Sequence, residues 1–173
     1  MIETSRTRLR RWTDGDRNAF AALHADPEVM HDYSGPLNQS QSDAKFERYV
    51  STFSRQGFGR WVVENRDGDF LGYAGLMPSR PAHPLGPHVD IGWRLVRSAW
   101  GQGYATEAAR AALDDAFGRC GLLEVIAYTA ADNARSQAVM ARLSLRRDPS
   151  RDFSEPDGSR IWHGMVWVAA PAR

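Results

Sequence analysis

Residues 89–119 constrain the fold more than any other stretch. Val89 to Val96 alternates like a strand. Tyr104 to Arg119 carries Ala105, Ala108, Ala109, Ala112, Leu113, Ala116 and Phe117 at i, i+3, i+4, i+7 spacing, a helix with one apolar face. Small residues on that face predict close packing on a sheet. Only a short turn holding Gly101 and Gly103 separates the two elements. A strand feeding a helix through such a turn demands a layered α/β architecture.

The rest of the chain extends that layer. Thr7 to Trp12 reads as a first strand. Asp14 or Asp16 caps a helix through His24 that buries Phe20 and Leu23. Asp26-Pro27-Glu28 reads as a new helix start, broken at Ser34-Gly35-Pro36. Ser40 or Ser42 opens a longer helix with Phe46, Tyr49, Val50 and Phe53 on one face, closed by Gly57. Strands follow at Phe58 to Asn65 and Phe70 to Met77, joined by a hairpin turn at Arg66 to Asp69. Pro78, Pro81, Pro84 and Pro87 then predict a stiff, polyproline-like loop, either a plain connector or one wall of a substrate cleft. Leu122 to Tyr128 is a strand, Ala134 to Leu143 a helix capped by Asp132 or Asn133, and Arg160 to Ala169 the last strand, apolar at Ile161, Val166 and Val168. The expectation is a mixed central β-sheet with helices on both faces.

Composition bounds the function classes. The 173 residues suffice for one domain and fall short of two ordinary ones. A formal net charge of +1 implies no long-range field toward nucleic acid. Arg6, Arg8, Arg10 and Arg11 read as a solvated strand face, and Arg142, Arg146 and Arg147 as a second solvated cluster. Cys120 is the one cysteine, so no internal disulfide forms, which fits a reducing cytoplasm. At the end of an amphipathic helix it reads as filler. No stretch approaches the ~20 apolar residues of a membrane span, and Met1 to Arg11 has no apolar region of a secretory signal. His24, His31, His83, His88 and His163 sit at no metal-ligand spacing and read as surface or loop residues, so no metal is expected.

The turn from Arg97 to Thr106 carries the chemistry. A helix start leaves about four N–H groups unpaired and bears partial positive charge, which suits a phosphate or diphosphate. Glycines permit close backbone approach. A nucleotide P-loop requires Lys-Ser/Thr after the last glycine, where Tyr104-Ala105 stands. A dinucleotide fingerprint requires a third glycine at Thr106, and Glu124, near the distance of its acidic residue, reads as lying inside a strand. A glycine turn without a ligand is the bland alternative.

The segments Asp90-Ile91-Gly92-Trp93-Arg94-Leu95 and Trp100-Gly101-Gln102-Gly103-Tyr104-Ala105-Thr106-Glu107-Ala108 closely resemble motif A of GNAT acetyltransferases. Asn133-Ala134-Arg135-Ser136 resembles the Asn-x-x-Ser motif of their Rim-type group, the ribosomal-protein N-terminal acetyltransferases and relatives. Glu3-Thr4, Leu9-Arg10 and Asp26 to Met30 match that group's opening. The resemblance covers almost the whole chain, 1–173, as a single domain of GNAT fold with a sheet splayed in the middle.

The resemblance implies acetyl-CoA as co-substrate and a primary amine as acceptor, either a protein or peptide N-terminus or a small amine. Leu95 and Val96 would pair with the acetyl and pantetheine parts through their backbone. Gly101, Gln102, Gly103, Tyr104, Ala105 and Thr106 would hold the diphosphate, and Asn133 and Ser136 would flank the pantetheine arm and sulfur. Arg97, where the group often has proline, would reach a phosphate or be solvated. Trp100 would brace the loop. The tyrosine that serves many GNAT enzymes as general acid is replaced by Met140, which moves that role to Ser136, unless Ser136 merely fills a helix first turn. Asp90 stands where the group usually has glutamate and would take the amine proton through a water, unless it only pairs with Arg94 on the same strand face. Glu64, Asp152 and Glu155 are weaker candidates for the base. Ser144 replaces the usual glycine after the last helix, which puts that cap in doubt. Oligomeric state is left open, a homodimer included. A rival class is an acyl-CoA sensor that has lost catalysis.

Overall fold

The structure, a computed structural model, describes residues 1–32 and 35–171. Among the described residues eight strands make one sheet path, β1 (Ile2–Glu3), β2 (Thr7–Arg10), β3 (Arg60–Asn65), β4 (Phe70–Pro78), β5 (Val89–Leu95), β6 (Val125–Thr129), β9 (Arg160–Ala169) and β7 (Arg146–Arg147), and a ninth, β8 (Phe153–Asp157), pairs with β9 off that path. Neighbours are antiparallel except β5 and β6. Those two share a single register pair, Asp90 with Ile126, and part beyond it. The expected mixed, splayed sheet is therefore present. Helix α3 (Tyr104–Phe117) packs on β2, β4 and β5, and α4 (Ala134–Arg142) packs on α3 and β6. Helices α1 (Arg17–Ala25) and α2 (Gln39–Gln56) cover the other face, where Phe20 of α1 and Tyr49 of α2 pack on Tyr73 of β4.

Local chemistry explains most boundaries. Helix α2 ends at Gly57, whose φ of 72° closes the expected C-cap. Its start lies earlier than Ser40: Asn38 and Gln41 exchange side-chain bonds to each other's amides at 2.9 Å, a reciprocal capping box. Asp16 occupies the cap position of α1, but its carboxylate turns to Arg10 and to the Thr13 amide. Helix α4 ends in a Schellman arrangement, with Leu145 N–H on Met140 O at 3.0 Å and Ser144 N–H on Ala141 O at 2.9 Å. Ser144 takes the glycine role at φ 60°, so the cap survives the substitution.

Several expectations need correction. Residues 27–31 form turns, not a helix: Asp26 Oδ1 accepts from the Glu28 amide at 2.9 Å, and the single helical bond, Met30 N–H to Asp26 O, is not continued. Of the breaker assigned to Ser34-Gly35-Pro36, Ser34 lies outside the described residues, and Gly35 has φ 92°. The proline loop is not polyproline-like. Two tight turns fold it, closed by His83 N–H on Arg80 O and Gly86 N–H on His83 O. Glu124 precedes β6 rather than lying in it, and pairs with Arg151. His24 is no surface residue. It lies fully buried in α1, between the Phe20 carbonyl and the Tyr73 hydroxyl. His83 is also buried, under Tyr128 and Phe153. The basic strand is ion-paired rather than simply solvated: Arg10 bridges Asp16 and Glu64, Arg8 reaches Glu64, and Arg6 meets Glu107. Arg146 and Arg147 likewise face Asp148 and Asp152. Ile161 stands exposed on β9, whereas Val166 and Val168 are buried. Strands β1, β7 and β8 were not anticipated.

Candidate active site

Strand β5 hands the chain to α3 through a turn that is held at every step. Trp100 donates its indole N–H to the Leu95 carbonyl at 2.8 Å, which braces the loop as its position suggested. Gln102 donates to Ser98 O at 2.7 Å. Gly101 and Gly103 have φ of 74° and 84°, the left-handed region that other residues adopt only with strain. Gly103 is the N-cap of α3 and has no side chain to cap with, so the helix start carries no side-chain cap. Glu107, in the first turn, is tied to the N-terminal strand pair by Thr4, Ser5 and Arg6. Burial alone would raise its carboxyl, but those hydrogen bonds bring it down to about 2.

A cleft of about 880 Å³ opens beside the end of β5, between the turn into α3 and the start of α4. Leu95, Gly101, Gln102, Gly103, Tyr104, Ala105, Thr106, Asn133 and Ser136 all line it, so two motifs far apart in sequence meet on one surface. Val96 and Arg97 do not line it. The Val96 amide is committed to Leu71 O and its carbonyl accepts from Ala99, both at 3.0 Å. Arg97 pairs with Asp26 at 3.0 Å, neither reaching the cleft nor remaining merely solvated. Asn133 caps α4 by accepting from the Ser136 amide at 3.1 Å, which fixes both motif residues relative to each other.

Sequence reading missed the cleft's charged wall. Asp32 accepts from Arg94 at 3.0 Å and from Asn133 at 2.9 Å. Arg135 stacks over Trp100 at 4.0 Å, and Arg142, taken as solvated, also lines the cleft. Spacing within the Asn133 motif places Arg135 beside it, but its stacking partner follows only from the tertiary fold.

Asp90 is buried, does not line the cleft and does not pair with Arg94. Its partner is Arg60 of β3, which crosses β4 and β5 above Gly75 and Gly92 and also donates to both their carbonyls. A Cβ at Gly92 would lie 2.8 Å from the Arg60 guanidinium, so Gly92 makes the channel for the arginine. The other Asp90 oxygen receives the Tyr128 hydroxyl at 3.5 Å. The weaker base candidates are engaged too, Glu64 by Arg10, Asp152 by Arg147 and Glu155 by Arg80. At Cys120, burial and then the neighbouring Asp115 push the thiol up, the reverse of an activated nucleophile.

Residues 6–146 match the model of the acetyltransferase (GNAT) domain. The chain belongs to the GNAT acetyltransferase family. Among relatives of this GNAT chain, an uncharacterized protein of Bacillus subtilis strain 168, YkkB, is 36% identical over 118 residues, 67% of each chain. The FsC-acetyl coenzyme A-N(2)-transacetylase of Aspergillus fumigatus is 32% identical over 151 residues, 83% of this chain and 64% of that protein. A crystal structure of an acetyltransferase from Agrobacterium tumefaciens superposes with a TM-score of 0.84 at 26% identity, covering 98% of this chain and 94% of the other. Among the described residues no helix is long and apolar enough to cross a membrane.

Proposed function

We propose that this chain, residues 1–173 acting as one domain, is an N-acetyltransferase that moves the acetyl group of acetyl-CoA to a primary amine by direct attack in a ternary complex. One observation carries the proposal: the cleft beside β5 brings the uncapped start of α3 and the Asn133–Ser136 pair onto one surface. The residues fit the ligand. Left-handed Gly101 and Gly103 leave backbone room for a diphosphate, while Arg94, Arg135 and Arg142 line the same cleft with positive charge. The relative named for acetyl coenzyme A and N(2)-transacetylation supports the donor and the nitrogen acceptor.

Bound acetyl-CoA supplies an activated thioester. The chain does the rest. Amides from Gly101 to Thr106 hold the diphosphate, and Leu95 and Asn133 flank the pantetheine arm. As the amine nitrogen bonds to the thioester carbon and the C–S bond breaks, the Ser136 hydroxyl gives its proton to the departing sulfur and regains one from water. Arg97 and Val96 serve through backbone shape, since their polar groups are engaged elsewhere. Asp90, which does not line the cleft, takes the amine proton through a water. Its Oδ1 is held by Arg60, and its Oδ2 receives the Tyr128 hydroxyl. The acceptor is a peptide N-terminus, as in the Rim-type group, or a small amine.

The test is CoA release from acetyl-CoA in the presence of a panel of amines, from alanyl peptides to polyamines and amino acids. Tight CoA binding with no turnover on any of them would leave a sensor and end the enzymatic reading.

A further inference from the structure

We infer that Arg6 is a positioning residue for the diphosphate site, an inference that rests on the acetyl-CoA reading above. The Arg6 guanidinium works in three directions at once. Nη1 donates to the Gln102 carbonyl at 2.9 Å. Nε and Nη2 hold Glu107 Oε2 at 2.8 and 2.7 Å. The group also lies over the Tyr104 ring at 4.8 Å. Arg6 is not a lining residue of the cleft, so it touches no ligand there and acts through the backbone.

Peptide geometry transmits the effect. A trans peptide is planar, and its C=O and N–H point in opposite directions. No peptide among the described residues is cis. Arg6 draws the Gln102 carbonyl away from the cleft, so the Gly103 N–H of the same peptide turns toward it. The φ of 84° at Gly103 accommodates this orientation. Without Arg6 the peptide is free to flip and present a carbonyl, an acceptor, to an anionic ligand.

The second effect is electrostatic. Glu107 sits in the first turn of α3, where an unopposed carboxylate would repel an incoming diphosphate. Arg6 places a positive charge against it, while the Arg6 amide at 2.8 Å and Thr4 Oγ1 at 2.6 Å fix the carboxylate in place. One arginine thus orients an amide and offsets a charge at the same anion site.

The experiment is calorimetry with three probes: CoA, dephospho-CoA, which keeps the diphosphate, and pantetheine, which lacks it. Arg6→Ala is expected to raise Kd about tenfold or more for CoA and dephospho-CoA alike, the scale of one charge-assisted hydrogen bond. Pantetheine affinity should stay within about twofold. In turnover, KM for acetyl-CoA should rise with kcat retained. Arg6→Lys should fall between, because one ammonium does not span Gln102 O and Glu107 as the fork does. If the alanine variant fails to fold, the lysine variant carries the same comparison. Equal losses for CoA and pantetheine, or unchanged CoA affinity in a folded variant, overturn the inference while the functional reading stands. Wild-type protein that binds none of the three probes removes the functional reading, and the role of Arg6 with it.

Discussion

Asn133 donates to Asp32 at 2.9 Å, a bond between residues 101 positions apart that both line the cleft. Asp32 also receives Arg94, so one carboxylate orients the motif asparagine and balances a mostly buried guanidinium. A double-mutant cycle with Asp32→Ala and Asn133→Ala should show coupling of about 1 kcal/mol or more in stability. Asp32→Ala alone should cost roughly 2–3 kcal/mol, since Arg94 loses its ion partner. Additive effects in denaturant unfolding would mean that the bond holds nothing in place.

Gly103→Val forces a β-branched residue to φ 84° and puts a Cβ 3.3 Å from Arg6 Nη2. Strain and loss of the Arg6 contact act together. CoA affinity measured by calorimetry should fall at least about tenfold, given the size of a charge-assisted bond. Unchanged binding in a folded variant would remove the diphosphate loop from the proposal.

Asp90→Asn has two effects that must be separated. The catalytic proposal expects kcat to drop about 10²–10⁴-fold. Burial of Arg60 without its counter-charge should also cost about 3–5 kcal/mol. Combining Asp90→Asn with Arg60→Met removes the orphaned charge. If stability returns and turnover does not, Asp90 carries chemistry. If turnover returns as well, its role is structural.

His24 predicts a pH dependence. Burial pushes its imidazole down, and the nearby Lys45 charge adds to this, to about 3. An unfolded chain protonates histidine near pH 6.5, so between those values the unfolded state binds the extra proton. Stability is therefore complete above about pH 6.5 and falls as pH drops toward 3. Between pH 7 and pH 5 the loss should be about 2 kcal/mol. His24→Leu should flatten that slope in urea titrations. An identical slope in the variant would contradict the assignment.

Ser144→Gly should stabilise the protein by about 0.5–1 kcal/mol, because Ser144 is the one non-glycine residue at positive φ among those described and relief of its left-handed strain, about 1–2 kcal/mol, exceeds the added chain entropy of glycine, about 0.5–1 kcal/mol. The Schellman bonds at Ser144 and Leu145 need no change. A melting temperature that does not rise would show that the Ser144 side chain compensates its strain.

What was legible in the sequence was local. The Trp100–Thr106 turn, the α3 stripe and the Asn133 cap each depend on residues a few positions apart, and each appears where expected. Arg60 depends instead on register: it faces Gly75 across β3 and β4, and Gly75 faces Gly92 across β4 and β5. No spacing within one segment encodes that. His24 was misread because a neutral, buried imidazole needs two partners supplied by the fold, Phe20 O and Tyr73. Strand β8 was missed because Pro156 falls within it, tolerable only in a strand that pairs with β9 alone. The Asp26 helix failed because its side chain closed a turn instead.

The channel at Gly92 binds the fate of three positions together. A side chain at Gly92 would collide with the Arg60 guanidinium, and one at Gly75 would meet the Gly59 carbonyl at 2.4 Å. Shortening Arg60 would strand Asp90, and neutralising Asp90 would strand Arg60. Positions 60, 90 and 92 therefore form one heritable unit, while Gly75 is held separately by the Gly59 carbonyl: a chain that abandons this ion pair must replace both charges together, and single steps away from it lead through less stable intermediates.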